Sequence, residues 1–167
     1  QPGTPMERTT PAPPFDAHPF GRGALNAASS RNELSTCQSY ETVDQIAALV
    51  PKEFVIGGGD PLERNDLHQI IDYARRRGLD PALMVSPTKR LTAEAIERLQ
   101  QIGLTKLIFS VDGSSAALHE RVHFRQPSFA ATTRAIREAN AAGIRAETNT
   151  VVSTANIHTL RAIATRI

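Results

Sequence analysis

A glycine-rich segment followed by an acid is the stretch of the sequence most suggestive of chemistry. Gly57, Gly58 and Gly59 follow an apolar run at residues 54–56, and Asp60 comes directly after them. Glycines let a ligand approach main-chain carbonyls and amides without a β-carbon in the way, and the carboxylate adds negative charge. A phosphate site would favour a helix N-terminus with a lysine, and the sequence has no GK[ST] motif. Exposed carbonyls beside an acid therefore favour a cation such as an ammonium group.

Further polar residues follow three later apolar runs. They are Ser86 and Thr88, then Ser110, Asp112 and Gly113, then Thr148, Asn149 and Thr150. Turn formation accounts for any one of these positions, because Gly, Asp and Ser are common in loops. Together with the glycine segment, four apolar runs end in polar or glycine residues. If these four ends lie side by side, they favour a ligand pocket, although they do not identify the ligand.

The elements that would position these residues alternate along the chain. Apolar residues at helical spacing predict helices over 40–50, 65–78, 92–103 and 128–143, and residues 156–167 begin another. Short apolar runs predict buried strands at 52–56, 81–86, 106–112 and 146–152. The predicted N-caps are Asn65, Thr92 and Ser128, and the predicted terminating glycines are Gly78, Gly103 and Gly143.

This alternation predicts an α/β fold with four parallel strands joined by right-handed crossovers. In such folds the ligand lies at the carboxyl ends of the strands. The polar and glycine residues that follow the four strands, which we call the strand exits, are therefore the candidate site.

Composition sets broad limits on function. The 167 residues, 40% hydrophobic and 22% charged, predict one soluble domain, and a net charge of +2 with scattered arginines does not suggest nucleic-acid binding. No apolar stretch approaches the ~20 residues of a membrane helix, so no membrane partner is expected. Cys37 is the only cysteine, which excludes an intrachain disulfide and favours a cytoplasmic location. The initial Gln1 suggests a fragment.

Two regions differ in character. Residues 1–36 are rich in proline and small residues without apolar periodicity, so we expect a mostly disordered leader. Residues 37–167 carry the alternating pattern and are predicted to form the domain.

Several segments together resemble the radical S-adenosylmethionine (radical SAM) family. They are GGGDPLERNDL, LIFSVDGSSAALHERV, SFAATTRAIREANAAGI and ETNTVVSTANI, in family order and spacing. The resemblance covers roughly residues 33–167. The pattern is most similar to members that often carry a cysteine-rich C-terminal extension and act in peptide modification or in haem and redox-cofactor maturation.

The resemblance implies a fold, cofactors and a reaction. It implies an incomplete TIM-like barrel, of which this chain has about four strand-helix units. It also implies S-adenosylmethionine and a 4Fe-4S cluster held by a CxxxCxxC motif. An electron from the cluster then yields a 5′-deoxyadenosyl radical that abstracts hydrogen from a small-molecule or peptide substrate, with an electron donor as partner.

The resemblance also assigns roles to individual positions. Gly58, Gly59 and Asp60 match the segment that holds the methionyl amino group. Ser110 and Asp112 match a strand end on the ribose or carboxylate side, and Ser86 and Asn149 match polar rim positions near cofactor or substrate.

The sequence departs from the family in two places. CxxxCxxC is absent, and residues 20–36, where it is expected, could reflect a deletion, a frameshift or genuine sequence. The single cysteine, Cys37, lies C-terminal to the position where the motif is expected. It is interpreted as a small hydrophobe on an early helix. His123 and Phe124 stand where relatives have an Arg-Gly pair. Because the helicity around His119 and His123 is doubtful, a metal role for that pair is not favoured.

Three hypotheses remain open. The first is a radical SAM enzyme by descent that is inactive because its cluster cysteines are missing. The second is a non-catalytic module that binds S-adenosylmethionine or another adenosine ligand. The third is an ordinary (β/α) enzyme with a different ligand.

Overall fold

The computed structural model describes residues 33–123 and 128–166 of the chain. Most of the predicted leader, including residues 20–32 of the segment where the cluster motif is expected, therefore lies outside the described residues. No helix within the described ranges combines the length and apolar character that a membrane span requires.

Helices and strands alternate from the first described element to the last. The helices are α1 (Thr36–Ala48), α2 (Leu67–Arg76), α3 (Ala93–Gln101), α4 (Ala116–His123), α5 (Phe129–Ala141) and α6 (Leu160–Arg166). The strands are β1 (Phe54–Ile56), β2 (Pro81–Val85), β3 (Lys106–Ser110) and β4 (Arg145–Asn149), and short 3₁₀ turns occupy Pro61–Glu63 and Ile157–Thr159. All pairings are parallel in the order β1-β2-β3-β4. The predicted α/β fold with four parallel strands, typical of a partial barrel, is confirmed.

The core lies between one face of the sheet and the helices. Leu83, Leu107 and Phe109 are fully buried on this face, and they belong to the same apolar cluster as Ile96 of α3 and Ile136 of α5. Because successive strand residues point to opposite faces, the residues between them lie on the other side. We call that other side the open face. It carries Val55, Ala82, Met84, Lys106, Ile108, Ser110, Arg145, Glu147 and Asn149.

Helix ends follow the predictions in part. Gly78, Gly103 and Gly143 have φ angles of +83°, +81° and +81°, so all three glycines are left-handed as predicted. Thr92 caps α3 by accepting a hydrogen bond from the N–H of Ala95 at 3.2 Å. Ser128 precedes α5 as predicted, but its side chain makes no capping hydrogen bond.

Three predictions about helices were wrong. The N-cap position of α2 is Asp66 rather than Asn65, and the Asp66 carboxylate is hydrogen-bonded to Arg64 rather than to the helix. Helix α1 begins four residues before Tyr40, because Ser35 and Gln38 form a capping box. The connection of doubtful helicity forms α4.

Candidate ligand site at the carboxyl ends of the strands

Three of the predicted site residues fall on one row of the open face. Ser110 and Asn149 are register partners at the ends of β3 and β4. Ser86 follows Val85, the partner of Phe109, so continuing the register by one residue places Ser86 beside Ser110. Within the described part of the chain, none of these three side chains makes a hydrogen bond to protein. The row thus offers free hydroxyl and amide groups at the carboxyl edge of the sheet.

The glycine segment lies at the carboxyl end of β1, in the same sheet as that row. Gly58 has a φ of +113°, a conformation that favours glycine. Gly59 differs, because its φ lies outside the left-handed region and an added β-carbon would meet no described atom within 4 Å. Neither backbone strain nor packing therefore requires glycine at position 59, and the space above its main chain is open to a ligand.

Asp60 has structural partners that sequence reasoning missed. Its Oδ1 accepts a hydrogen bond from the N–H of Leu62 at 3.1 Å, which caps the turn at Pro61–Glu63. Its Oδ2 accepts from the hydroxyl of Thr88 at 2.7 Å. The carboxylate thus joins the loop after β1 to the loop after β2, and its negative charge is fixed close to the glycine segment.

Asp112 is placed differently from the other predicted site residues. Its side chain is only 3% exposed, and its Oδ1 accepts from the N–H of Val151 at 2.7 Å. Its own N–H donates to Nδ1 of His119 at 3.2 Å. In this conformation Asp112 connects the exits of β3 and β4, and its predicted contact with ribose or carboxylate stays a prediction.

Gly113 allows α4 to approach the end of β3. A β-carbon at this position would lie 2.3 Å from the main-chain nitrogen of His119. His119 is 1% exposed and its ring lies 5.5 Å from that of Phe129. Since Nδ1 of His119 accepts a hydrogen bond, its ring proton belongs on Nε2.

The structure brings the histidine pair noted in the sequence onto one helix. His119 and His123 both lie in α4, four residues apart. However, no three His, Cys, Asp or Glu residues within the described ranges are grouped so that they could hold a metal ion.

A polar cluster fixes the start of α1 next to the segment that follows the glycines. Arg64 Nη2 donates to the carbonyl of Leu34 at 3.1 Å and to Oδ2 of Asp66 at 2.8 Å. The hydroxyl of Thr36 donates to the same Asp66 oxygen at 2.6 Å. The hydrogen bond from Arg64, with help from Thr36, lowers the pKa of Asp66 below its ordinary value. This cluster joins the segment that follows the glycines, at residues 64–66, to the start of α1.

A second polar region lies at the opposite edge of the sheet. A cavity of about 270 Å³ is lined in part by Glu53, Lys106 and Arg145. Lys106 Nζ lies 3.0 Å from Glu53 Oε1 and 3.4 Å from Glu147 Oε1. The hydrogen bond with Glu53 raises the pKa of Lys106, and the same bond lowers the pKa of Glu53. Because the charges compensate one another, this amino-terminal region is a weaker candidate for the ligand site.

The residues present could hold an ammonium group, whereas they do not fit an iron-sulfur cluster. The open main chain at Gly58 and Gly59 and the charge of Asp60 suit an ammonium group. A 4Fe-4S cluster needs several thiolates, whereas Cys37 is the only cysteine in the sequence and lies exposed on α1. Cys37 lies on an early helix as predicted, but its side chain is exposed, so the interpretation of Cys37 as a small hydrophobe is wrong.

Comparison with known proteins shows the family to which the chain belongs. The model of the Radical SAM superfamily matches residues 27–167. The chain therefore belongs to the radical SAM superfamily, and the resemblance inferred from sequence is confirmed.

Named relatives share this family region. The chain is 30% identical over 136 residues to an AdoMet-dependent heme synthase of Methanosarcina barkeri, covering 81% of this chain and 39% of that protein. It is 30% identical over 136 residues to the mycofactocin maturase MftC of Mycobacterium ulcerans, covering 80% and 36% respectively. It is 28% identical over 144 residues to a PqqA peptide cyclase of Ruegeria pomeroyi, covering 86% and 38%. The chain thus spans less than two fifths of each of these relatives.

Proposed function

We propose that the carboxyl-end rim of the sheet binds S-adenosylmethionine. The methionyl ammonium group lies against the main chain of Gly58 and Gly59, close to the charge of Asp60. Ser86, Ser110 and Asn149 hydrogen-bond the ribose and the methionyl carboxylate from the other side. The observation that carries this proposal is Gly59, because the fold gives it no other reason to lack a side chain.

The charges of the ligand and the rim are complementary. S-adenosylmethionine carries a sulfonium and an ammonium group, and ammonium donors pair well with main-chain carbonyls near a carboxylate. Hydrogen bonds to charged groups are worth about 1.5–3 kcal/mol each. Asp60 need not leave its bonds to Leu62 and Thr88 in order to contribute, because its charge acts through space over a few ångströms.

The family supports reductive cleavage of S-adenosylmethionine as the reaction class, but the residues of this chain do not complete the required site. The electron for that reaction comes from a cluster, and this sequence supplies one thiolate. We therefore propose that this chain binds S-adenosylmethionine without cleaving it. The corresponding substrate would be a small molecule or peptide in the cytoplasm, and an electron donor would be needed only if a cluster were present.

Anaerobic reconstitution with iron and sulfide tests the second part of this proposal. We expect the purified chain to retain no stoichiometric cluster iron and to form no 5′-deoxyadenosine from S-adenosylmethionine and dithionite. The Cys37→Ser variant should behave identically. Cluster iron that survives gel filtration, together with 5′-deoxyadenosine formation, would contradict it and favour an active radical SAM enzyme.

The alternative of an ordinary (β/α) enzyme has no comparable support. The family match covers most of the chain, including the glycine segment and all four strand exits.

A further inference from the structure

Asn156 is a fully buried amide that follows β4 by seven residues. Its exposure is 0%, although Asn is seldom fully buried. Its Nδ2 donates to the carbonyl of Asp112 at 3.0 Å and to the carbonyl of Val151 at 2.8 Å. Its Oδ1 accepts from the N–H of Ser153 at 2.8 Å. The two donor bonds join the loop after β3 to the loop after β4.

Other bonds extend the same connection. The N–H of Val111 donates to the carbonyl of Asn149 at 2.9 Å, and the hydroxyl of Thr150 donates to the carbonyl of Val111 at 2.8 Å. The N–H of Val151 donates to Asp112. Hydrogen bonds between the two chain segments thus continue beyond the ends of β3 and β4. The last of them are the bonds from Asn156 to the carbonyls of Asp112 and Val151.

This connection lies directly beyond two residues of the candidate site. Ser110 and Asn149 are the last residues of β3 and β4, and each is followed within three residues by a group in the Asn156 network. A change in the separation of the two loops therefore changes the separation of these two side chains, while the glycine segment after β1 lies two strands away.

We propose that Asn156 is a positioning residue for ligand binding, which holds the β3 and β4 exits so that Ser110 and Asn149 face the ligand together. This inference rests on the proposed function. Asn156 itself does not reach the ligand, because its amide is buried and fully engaged with main-chain groups.

The Asn156→Asp variant separates this role from general packing. The side chain keeps its size but loses both N–H donors, which leaves the carbonyls of Asp112 and Val151 facing a carboxyl oxygen. We expect S-adenosylmethionine to bind about tenfold more weakly by calorimetry, the loss expected for misplaced polar contacts. Asn140→Asp is the matched control, because exposed Asn140 uses its Oδ1 as an acceptor for Ala146 and an aspartate can do the same.

Site-resolved NMR provides a readout that simple destabilisation would not produce. In the unmodified protein, S-adenosylmethionine should shift both the Asn149 side-chain amide and the Gly58 and Gly59 amides. In Asn156→Asp the shift of Asn149 should be lost while those of the glycines remain. If this variant does not fold, Thr150→Val removes one bond of the same connection, with Thr133→Val on α5 as its control.

The outcomes distinguish the inference from the proposed function. The inference alone would be overturned if Asn156→Asp showed the same affinity and the same Asn149 shift as the unmodified protein. The same criterion applies to Thr150→Val if Asn156→Asp does not fold. Absence of binding by the unmodified protein would overturn the proposed function and this inference together.

Discussion

Replacement of Gly113 by alanine should destabilise the protein through a clash of main-chain atoms. The new β-carbon would lie 2.3 Å from the nitrogen of His119 and 2.8 Å from its Cα. Favourable carbon contacts lie at about 3.5–4.0 Å, so the start of α4 must move by about 1 Å. A flexible side chain could turn away from such a contact, whereas a helix backbone moves only with everything packed on it.

The expected loss of unfolding free energy in Gly113→Ala has two contributions. Overpacking typically costs about 1–3 kcal/mol. The buried bond from Asp112 to His119 would also be strained, which adds about 1 kcal/mol. We therefore expect Gly113→Ala to lose about 2–4 kcal/mol of unfolding free energy, a large part of the ~5–15 kcal/mol that holds a typical domain.

Urea unfolding followed by circular dichroism measures this loss. Gly59→Ala is the matched control, because its β-carbon would meet no described atom within 4 Å and its φ lies outside the left-handed region. We therefore expect its unfolding free energy to change by no more than about 0.5 kcal/mol. Unfolding free energies that agree between Gly113→Ala and the unmodified protein, or a Gly59→Ala as unstable as Gly113→Ala, would refute the reasoning.

Two further predictions concern hydrogen bonds that support the site. The folded-state pKa of Asp66 is lowered, so its stabilising contribution is present above its ordinary value of 3.8 and is lost as the pH falls through the folded pKa. Unfolding free energy below pH ~4 should therefore fall more steeply for the unmodified protein than for Asp66→Asn, and parallel curves would argue against the bond from Arg64. Thr88→Val removes the hydroxyl donor to Asp60 and should cost about 1.5 kcal/mol in urea unfolding, whereas an unchanged midpoint would show that the two loops are not coupled.

Sequence patterns predicted those parts of the fold that depend on local signals. Apolar periodicity identified four parallel strands and the helices between them, and Gly78, Gly103 and Gly143 ended helices because left-handed backbone favours glycine wherever it occurs. The predicted site positions also followed from topology, since parallel strands place their carboxyl ends on one edge.

Two of the missed features depend on partners that are distant in sequence, and two others are local. Thr88 reaches Asp60 across 28 residues, and Asn156 reaches Asp112 across 44, and no local pattern encodes either pairing. Sequence alone does not distinguish Asn65 from Asp66 as the N-cap of α2, because both residue types favour that position, and in the structure Arg64 binds the Asp66 carboxylate. The capping box at Ser35 was a local signal that could have located the start of α1.

The central claim is that the main chain at Gly59 holds the cationic end of S-adenosylmethionine, and calorimetric titration of the unmodified protein and Gly59→Val tests it most directly. The isopropyl group would occupy the open space above the main chain, while equal unfolding free energies of the two proteins would establish that the fold is intact. We expect measurable binding by the unmodified protein and at least a roughly tenfold weaker affinity in Gly59→Val, the loss of about 1.4 kcal/mol. Equal heats and equal affinities for the two folded proteins would contradict the claim.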